Sequence, residues 1–447
     1  MSAARRNRIQ EQRRSADRSP FPWLQLTLLL LLAAAGSVWC WRDGLSLCPW
    51  PMAAASSLGL VLPSLAVALV ISPEERRLGL GLLAAAVILS KLGSIGSPFL
   101  MPWGVASSMV ALLISPAHAL LSLLPLAGWA APMFGGGPTL SALVGAAALA
   151  LVAGRARTAK DLLLAGLAGG LAGAVVAATL WPESGFAGTA AALLCGPAAA
   201  FITWAELPAV ERATDRTSPL SLVDLLNPSH PLLERMRAEA PGSYYHSRDV
   251  AALAEAAARA VSANPVLAAV GGLYHDLGKL LRPHFFGENQ SGTNPHEELS
   301  PSMSKVVLAS HVKDGIELGR RYGLKGDVLQ FVASHHGTSV MRAFFELAAE
   351  KGVSEDEFRY DSPLPDTKES AIVMLADSVE AYARGKDRDD LRELVERAIE
   401  DRRRDGQLDR SPLTFAELAR IRRAFTSALQ GMTHRRTGAF PEPKEGR

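Results

Sequence analysis

Nine of the ten histidines fall between residues 230 and 434. Among them, His246, the His275-Asp276 pair, His311 and the His335-His336 pair, together with Asp377, recur at separations of 24 to 41 residues. That interval is about one helical hairpin, so a bundle that lays successive helices side by side brings all seven to one place. Five imidazoles and two carboxylates suit a pair of borderline divalent metals such as iron or manganese, with Asp276 able to bridge them. The three cysteines, Cys40, Cys48 and Cys195, all precede this region. The histidine-rich half therefore has neither a thiolate zinc site nor a disulfide framework.

The members differ in how much they say individually. A lone helical histidine is ordinarily a satisfied surface or core residue, and His230 and His284 are read that way. The His275-Asp276 dipeptide is weak by itself. His335-His336 is rarer, because two adjacent imidazoles at an apolar helix end are costly to bury unless metal or hydrogen bonds hold them. Asp377 closes the apolar run Val373-Met374-Leu375-Ala376, and a carboxylate in that setting needs a partner.

The elements that must position these groups are helical. Apolar periodicity predicts helices over 222–226, 231–240, 249–262, 266–279, 302–322, 325–335, 340–351, 368–384, 389–405 and 414–431. Gly, Pro and Asn at 283–301, and Pro, Asp and Ser at 361–367, read as loops. The fold class is all-α, with no internal repeat and no glycine-rich phosphate loop following a strand.

Charge divides the chain. Residues 22–206 carry 7 Lys/Arg and 6 Asp/Glu in 185 positions, while the other 262 residues carry 77 charges. That distribution excludes a purely soluble enzyme and predicts a polytopic membrane half followed by a soluble half. The expected organisation is a basic cytoplasmic N-terminus (1–21), a multi-span region of about eight helices (22–206), linker helices (207–240), a helical domain (241–436) and a disordered tail (437–447). Trp23–Trp41 reads as a first span rather than a cleaved signal. The next are expected at roughly 53–72, 77–95, 99–115, 117–133, 139–154, 161–181 and 185–206. Pro116 either kinks one helix or separates two. Placing Arg76, Arg77, Arg155, Arg157 and the soluble half inside requires two segments there, giving eight. No charge cluster lies at mid-membrane, which argues against a transporter. The outward loop 42–52 includes Cys48, with Cys40 at the helix end, and pairing and separate thiols both remain open. From 207 onward 33 basic and 36 acidic residues give no encouragement to a polymeric nucleic-acid partner.

With these residues assembled, the chain resembles the HD-superfamily metal-dependent phosphohydrolases, through His246, His275-Asp276-Leu277-Gly278-Lys279, His311, His335-His336-Gly337-Thr338 and Asp377. It is most similar to the membrane-anchored HD phosphodiesterases of the PgpH class. Glu239-Ala240-Pro241-Gly242-Ser243-Tyr244-Tyr245-His246-Ser247, Arg282-Pro283-His284-Phe285-Phe286-Gly287-Glu288-Asn289-Gln290 and Met374-Leu375-Ala376-Asp377-Ser378-Val379-Glu380-Ala381 carry that likeness. It covers residues 220–436 closely and the spans in layout only.

The resemblance implies hydrolysis of cyclic di-AMP to pApA by a cytoplasmic HD domain on a bacterial inner membrane. It implies two divalent ions, manganese or iron, one held by His246, His275, Asp276 and Asp377. The other would be held by Asp276, His311, His335 and His336. Catalytic roles fall to Asp276 and Lys279. Lys279, Lys313 and Arg436 are the substrate contacts expected, each against the plainer reading of a solvated surface cation. Tyr244-Tyr245 and Phe285-Phe286 offer stacking surfaces for adenine, with core packing the plainer reading. The lipid bilayer is an expected partner, and a homo-oligomer is compatible with the sequence. In that family a large extracytoplasmic domain usually follows the first span, whereas here only Arg42–Met52 occupy the position. The rivals are an HD enzyme acting on another nucleotide and a membrane receptor whose HD fold binds nucleotide without hydrolysing it.

Overall fold

The computed structural model describes residues 97–437 apart from positions 98, 102, 291, 350–351 and 385–390, and the side chains at 132–133 and 433–437 also fall outside it. The basic N-terminus, the first three expected spans, the 42–52 loop with Cys40 and Cys48, and the tail beyond Thr437 therefore lie outside the described residues. Among the described residues every regular element is helical and none is a strand; an antiparallel bridge joins Val340 to Arg359. The chain divides into two compact units between Val210 and Glu211.

The first unit contributes α1 (Trp103–Leu113), α2 (Pro116–Phe134), α3 (Gly136–Ala153), α4 (Ala159–Leu180) and α5 (Gly185–Thr214). Ser115 ends one helix and starts the next, its hydroxyl accepting from the His118 amide with Pro116 in the first turn. The stretch around Pro116 is thus two helices. At 11 residues α1 is about 16 Å long, short of a ~30 Å hydrocarbon core. Helices α3, α4 and α5 are long and apolar enough to cross a membrane. Close packing of α3 on α4 depends on small residues: a Cβ on Gly169 would meet the Gly145 carbonyl at 2.7 Å. The Ser141 hydroxyl donates to the Gly173 carbonyl across the same contact, at 2.8 Å.

The second unit holds α6 (Pro219–Leu225), α7 (Pro231–Glu239), α8 (Pro241–Ala260), α9 (Pro265–Tyr274), α10 (Pro301–Arg321), α11 (Gly326–Ser334), α12 (Arg342–Ala348), α13 (Lys368–Arg384), α14 (Leu391–Arg404) and α15 (Phe415–Thr437). Helix α13 is its axis, buried without interruption from Ser370 to Val379. Its Ile372, Val373, Leu375, Ala376 and Val379 form one core with Val250, Leu253 and Ala257 of α8, Phe331 of α11, Val395 and Ile399 of α14, and Ile421 and Phe425 of α15. An all-round apolar helix is stable only where neighbours cover every face, which is what these elements do.

A second core gathers Leu232, Leu233 and Met236 of α7 with Val270, Tyr274, Leu277, Leu318 and Val328. Tyr274 also donates its hydroxyl to the Leu225 carbonyl at 2.9 Å. Helices α6 and α7 are therefore packed onto the domain.

Candidate metal centre

Local sequence chemistry sets each donor. Pro241 stands in the first turn of α8, where its fixed φ and missing N–H cost nothing, so this helix begins well before the alanine-rich stretch from 249. His246 is consequently in the second turn of a buried helix. Helix α9 stops at Tyr274 rather than running on to Lys279; His275 caps it, and the chain passes through Asp276 into a tight turn over Leu277–Leu281. A Cβ on Gly278 would lie 1.9 Å from the His311 carbonyl, so only glycine lets α10 pass this close and deliver His311 beside Asp276. His335 caps α11, and Gly337, at φ 52°, reverses the chain immediately after His336. Gln407 fixes that reversal, accepting from the Thr338 amide at 2.8 Å. Asp377 comes from the middle of α13.

All seven residues expected from the sequence meet. His246 Nε2 lies 3.1 Å from Asp377 Oδ1 and 3.3 Å from Asp276 Oδ2, and His275 Nε2 lies 3.1 Å from the same Asp276 oxygen. On the other side of that carboxylate, Oδ1 is 3.5 Å from His311 Nε2 and 3.6 Å from His335 Nε2, which are 3.1 Å apart. His336 completes the second group; its Nδ1 is 4.0 Å from Asp377 Oδ2. The donors form two sets, His246 with His275 and Asp377, and Asp276 with His311, His335 and His336, each confined within 4.8 Å. Asp276 turns one oxygen to each.

The hydrogen bonds behind the imidazoles show what the front atoms are for. Nδ1 of His275 faces the Gly272 carbonyl at 2.8 Å, that of His311 the Leu308 carbonyl at 2.6 Å, and that of His335 the Val332 carbonyl at 2.9 Å. Nδ1 of His246 faces the Glu380 carboxylate at 2.7 Å. Arg384 lies as close to that nitrogen, but its Nη2 donates to the same Glu380 oxygen at 2.6 Å. Because each Nδ1 faces an acceptor, each of these rings can turn an Nε2 lone pair to the centre. Those lone pairs face carboxylate oxygens, and Asp276 Oδ1 is fully buried without a hydrogen-bond partner. Lone pairs converging on an orphaned carboxylate oxygen call for a cation. The residues fit divalent metal ions.

Electrostatics agree. Burial, with His275 and His311 nearby, drives the His335 pKa down to about 3, and burial likewise lowers His311 and His336, so all three stay neutral donors. Burial opposes charge on His246 too, but Asp276, Asp377 and Glu380 outweigh it and raise its pKa. The proton is favoured there because three carboxylates surround the ring, and a metal ion satisfies the same field. Burial disfavours ionised Asp276 and Asp377, yet the imidazoles around both, and Lys279 beside Asp276, hold each well below the usual carboxylate range.

The other expected contacts are placed differently. Lys279 Nζ sits 2.7 Å from both Asp276 Oδ2 and Glu288 Oε1, over the Phe286 ring. Despite burial, the two carboxylates keep it charged. Lys313 is exposed and lines a separate cleft of about 510 Å³ with Lys305, Arg320 and Tyr360. The Arg436 side chain lies outside the described residues. His230 and His284 take structural roles, capping α7 and packing on Phe285. Glu380, Glu288 and Tyr360 had been given no role from the sequence. Glu380 carried a readable signal, since it follows Asp377 by three residues and so shares its helix face. Tyr360 carried none: it comes from an irregular segment beyond the Val340–Arg359 bridge.

Residues 243–382 match the HD domain family. That segment of the chain is an HD domain. Its HD domain is a metal-dependent type, and the His/Asp cluster just described is where metal could bind. Over 242 residues the chain is 43% identical to the cyclic-di-AMP phosphodiesterase PgpH of Bacillus subtilis (strain 168), covering 53% of this chain and 34% of that protein. It is 40% identical over 230 residues to the protein of the same name from Listeria monocytogenes serotype 1/2a, covering 50% of this chain and 32% of the relative. The chain thus spans about a third of the length of these curated relatives. The crystal structure of the L. monocytogenes PgpH HD domain in complex with cyclic-di-AMP is 40% identical, with a TM-score of 0.45, covering 46% of this chain and 99% of that one.

Proposed function

We propose that this protein is a metal-dependent phosphodiesterase that hydrolyses cyclic di-AMP to pApA. The observation that carries the reading is Asp276, whose two oxygens face two separate donor sets, one of them with no partner of its own. The activity named for the PgpH relatives supports the choice of substrate. His246, His275, Asp276 and Asp377 would hold one ion and Asp276, His311, His335 and His336 the other, manganese or iron by donor chemistry. When bound, two such ions neutralise a phosphodiester and lower the pKa of a water between them.

The chain's own residues do the positioning. Lys279 pins Asp276 Oδ2 from behind while Glu288 holds Lys279, so the shared carboxylate cannot rotate away from either set. As a compact cation beside the centre, Lys279 is also a fixed positive charge for a phosphate oxygen. Lys313 and Arg436 are the further substrate contacts in this reading. Helices α3, α4 and α5 and the basic loop around Arg155 support a bacterial inner-membrane protein with its HD domain on the cytoplasmic face.

The test is substrate comparison on the detergent-purified full chain, loaded with manganese or, anaerobically, with iron. Cyclic di-AMP, cyclic di-GMP and ppGpp are supplied at equal concentration and products separated by chromatography. The expected result is pApA from cyclic di-AMP as the fastest reaction. Faster turnover of another nucleotide would replace the substrate. Tight cyclic di-AMP binding without product would make the protein a receptor.

A further inference from the structure

His246 is the donor whose outer nitrogen is contested. Nδ1 of His275, His311 and His335 meets main-chain carbonyls, which can only accept. Nδ1 of His246 has two side chains at equal reach instead, Glu380 Oε2 at 2.7 Å and Arg384 Nη2 at 2.7 Å. Arg384 Nη2 also donates to that same Glu380 oxygen at 2.6 Å, so the three atoms close a triangle. The other arm of the guanidinium lies 4.0 Å from Glu288, the carboxylate that holds Lys279.

Glu380 and Arg384 are one turn apart on α13 and share a face, yet they ask opposite things of the ring. Each nitrogen of a neutral imidazole carries either a hydrogen or a lone pair. Glu380 accepts from Nδ1–H and leaves Nε2 bare, the form that can hold metal. Arg384 can only donate, so it favours a lone pair on Nδ1 and the hydrogen on Nε2, the form that cannot. The ring is neutral in both forms. By donating to the Glu380 oxygen, Arg384 also weakens the acceptor that makes His246 a better ligand. Its positive charge opposes a cation at the front of the same ring.

We infer that Arg384 is a positioning residue that holds down the metal affinity of the first donor set, acting through His246 and Glu380. The outer nitrogens of His311 and His335, in the second set, meet carbonyls alone, so an arginine tunes one set and not the other. This rests on reading the donors as two metal sites, and it adds what makes the two unequal. The Arg384 side chain is 43% exposed and stands outside the core built around α13, so replacing it opens no cavity.

The experiment reads metal binding and not turnover. The detergent-purified full chain, stripped of metal, is titrated calorimetrically with manganese. The binding step missing from His246→Ala is that of the first set. Arg384→Leu should lower the Kd of that step about tenfold, the smaller end of what an outer partner of a metal-binding histidine contributes, and leave the other step unchanged. Arg384→Lys, which keeps a donor and a positive charge, should bind like wild type. A side chain that only braced the fold would weaken both steps on removal, so the sign of the change separates the two roles. The inference is overturned if Arg384→Leu leaves the first step unchanged or weakens it. It is equally overturned if both steps tighten alike, since Arg384 would then repel cations without acting through His246. In each of these cases the reading of two metal sites stands. A wild type that takes up fewer than two ions would overturn that reading and this inference with it.

Discussion

The Tyr360 ring stacks on the His336 imidazole, with centroids 4.2 Å apart and planes inclined by 30°. His275, His311, His335 and His246 are each oriented by an Nδ1 hydrogen bond, but among the described residues His336 Nδ1 faces the Asp377 carboxylate at 4.0 Å, beyond hydrogen-bond distance. Its orientation comes instead from the rings around it, Tyr360 stacked on it, His335 4.0 Å away and His311 5.1 Å away.

Tyr360 therefore does for His336 what a carbonyl does for its neighbours. Tyr360→Leu should weaken the second ion about tenfold or more, the scale seen when a ligand's orienting partner is lost. Tyr360→Phe should not. Metal content after dialysis against graded chelator measures this directly, and equal metal retention by the two variants would return Tyr360 to plain packing.

Glu380 holds His246 from behind at 2.7 Å. Glu380→Gln removes the charge that keeps the proton on Nδ1, and should cost about 10–100-fold in affinity at the first site. The second set, which Glu380 does not touch, should keep its ion. Metal stoichiometry falling from two towards one per chain is the expected readout; loss of both together would show that the sites are not separable.

Where the chain leaves α5 for the domain, Thr217 donates its amide and hydroxyl to Asp327 at 2.7 and 2.6 Å, and Gly326 donates its amide to Asp215 at 3.0 Å. Asp327 stands in the first turn of α11, the helix whose far end carries His335. Asp327→Ala leaves the Thr217 groups unsatisfied and should cost about 1–3 kcal/mol. In a domain of this size each kcal/mol lowers Tm by about 2–4 °C, which calorimetry detects.

Glu417 joins two helices of the core. It accepts from the Thr414 amide at 2.9 Å at the start of α15 and pairs with Lys368 Nζ at 2.5 Å at the start of α13. Lys368 and Thr414 hold its pKa at about 2 instead of 4.5. A depressed carboxylate contributes stability that is complete above its unfolded pKa and is lost as pH falls through the folded one. Stability should therefore drop between pH 4.5 and about 2, and Glu417→Gln should flatten part of that drop in acid titrations followed by circular dichroism.

Much of the centre was legible because its donors violate burial rules. Paired imidazoles at an apolar helix end, and a carboxylate closing Val373–Ala376, make sense only with partners, and spacing made each the other's partner. The helix starts were harder. Alanine periodicity from 249 hid the fact that Pro241 opens α8, and no pattern marks Asp276 as the point where α9 gives way to a tight turn. That break depends on Gly278 meeting the His311 backbone, a contact between segments 33 residues apart that no local window contains. Tyr360 and Glu288 were invisible for the same reason: their roles come from what they touch.

In the proposed function Asp276 is shared by two metal ions acting on a phosphodiester. The measurement that tests it most directly is metal content and cyclic di-AMP turnover on one preparation each of the full-length wild type and Asp276→Ala. Wild type should hold two ions per chain and release pApA, while the variant, losing an oxygen from each set, should hold fewer than one and release none. A variant that keeps two ions and turns over at the wild-type rate would contradict the account.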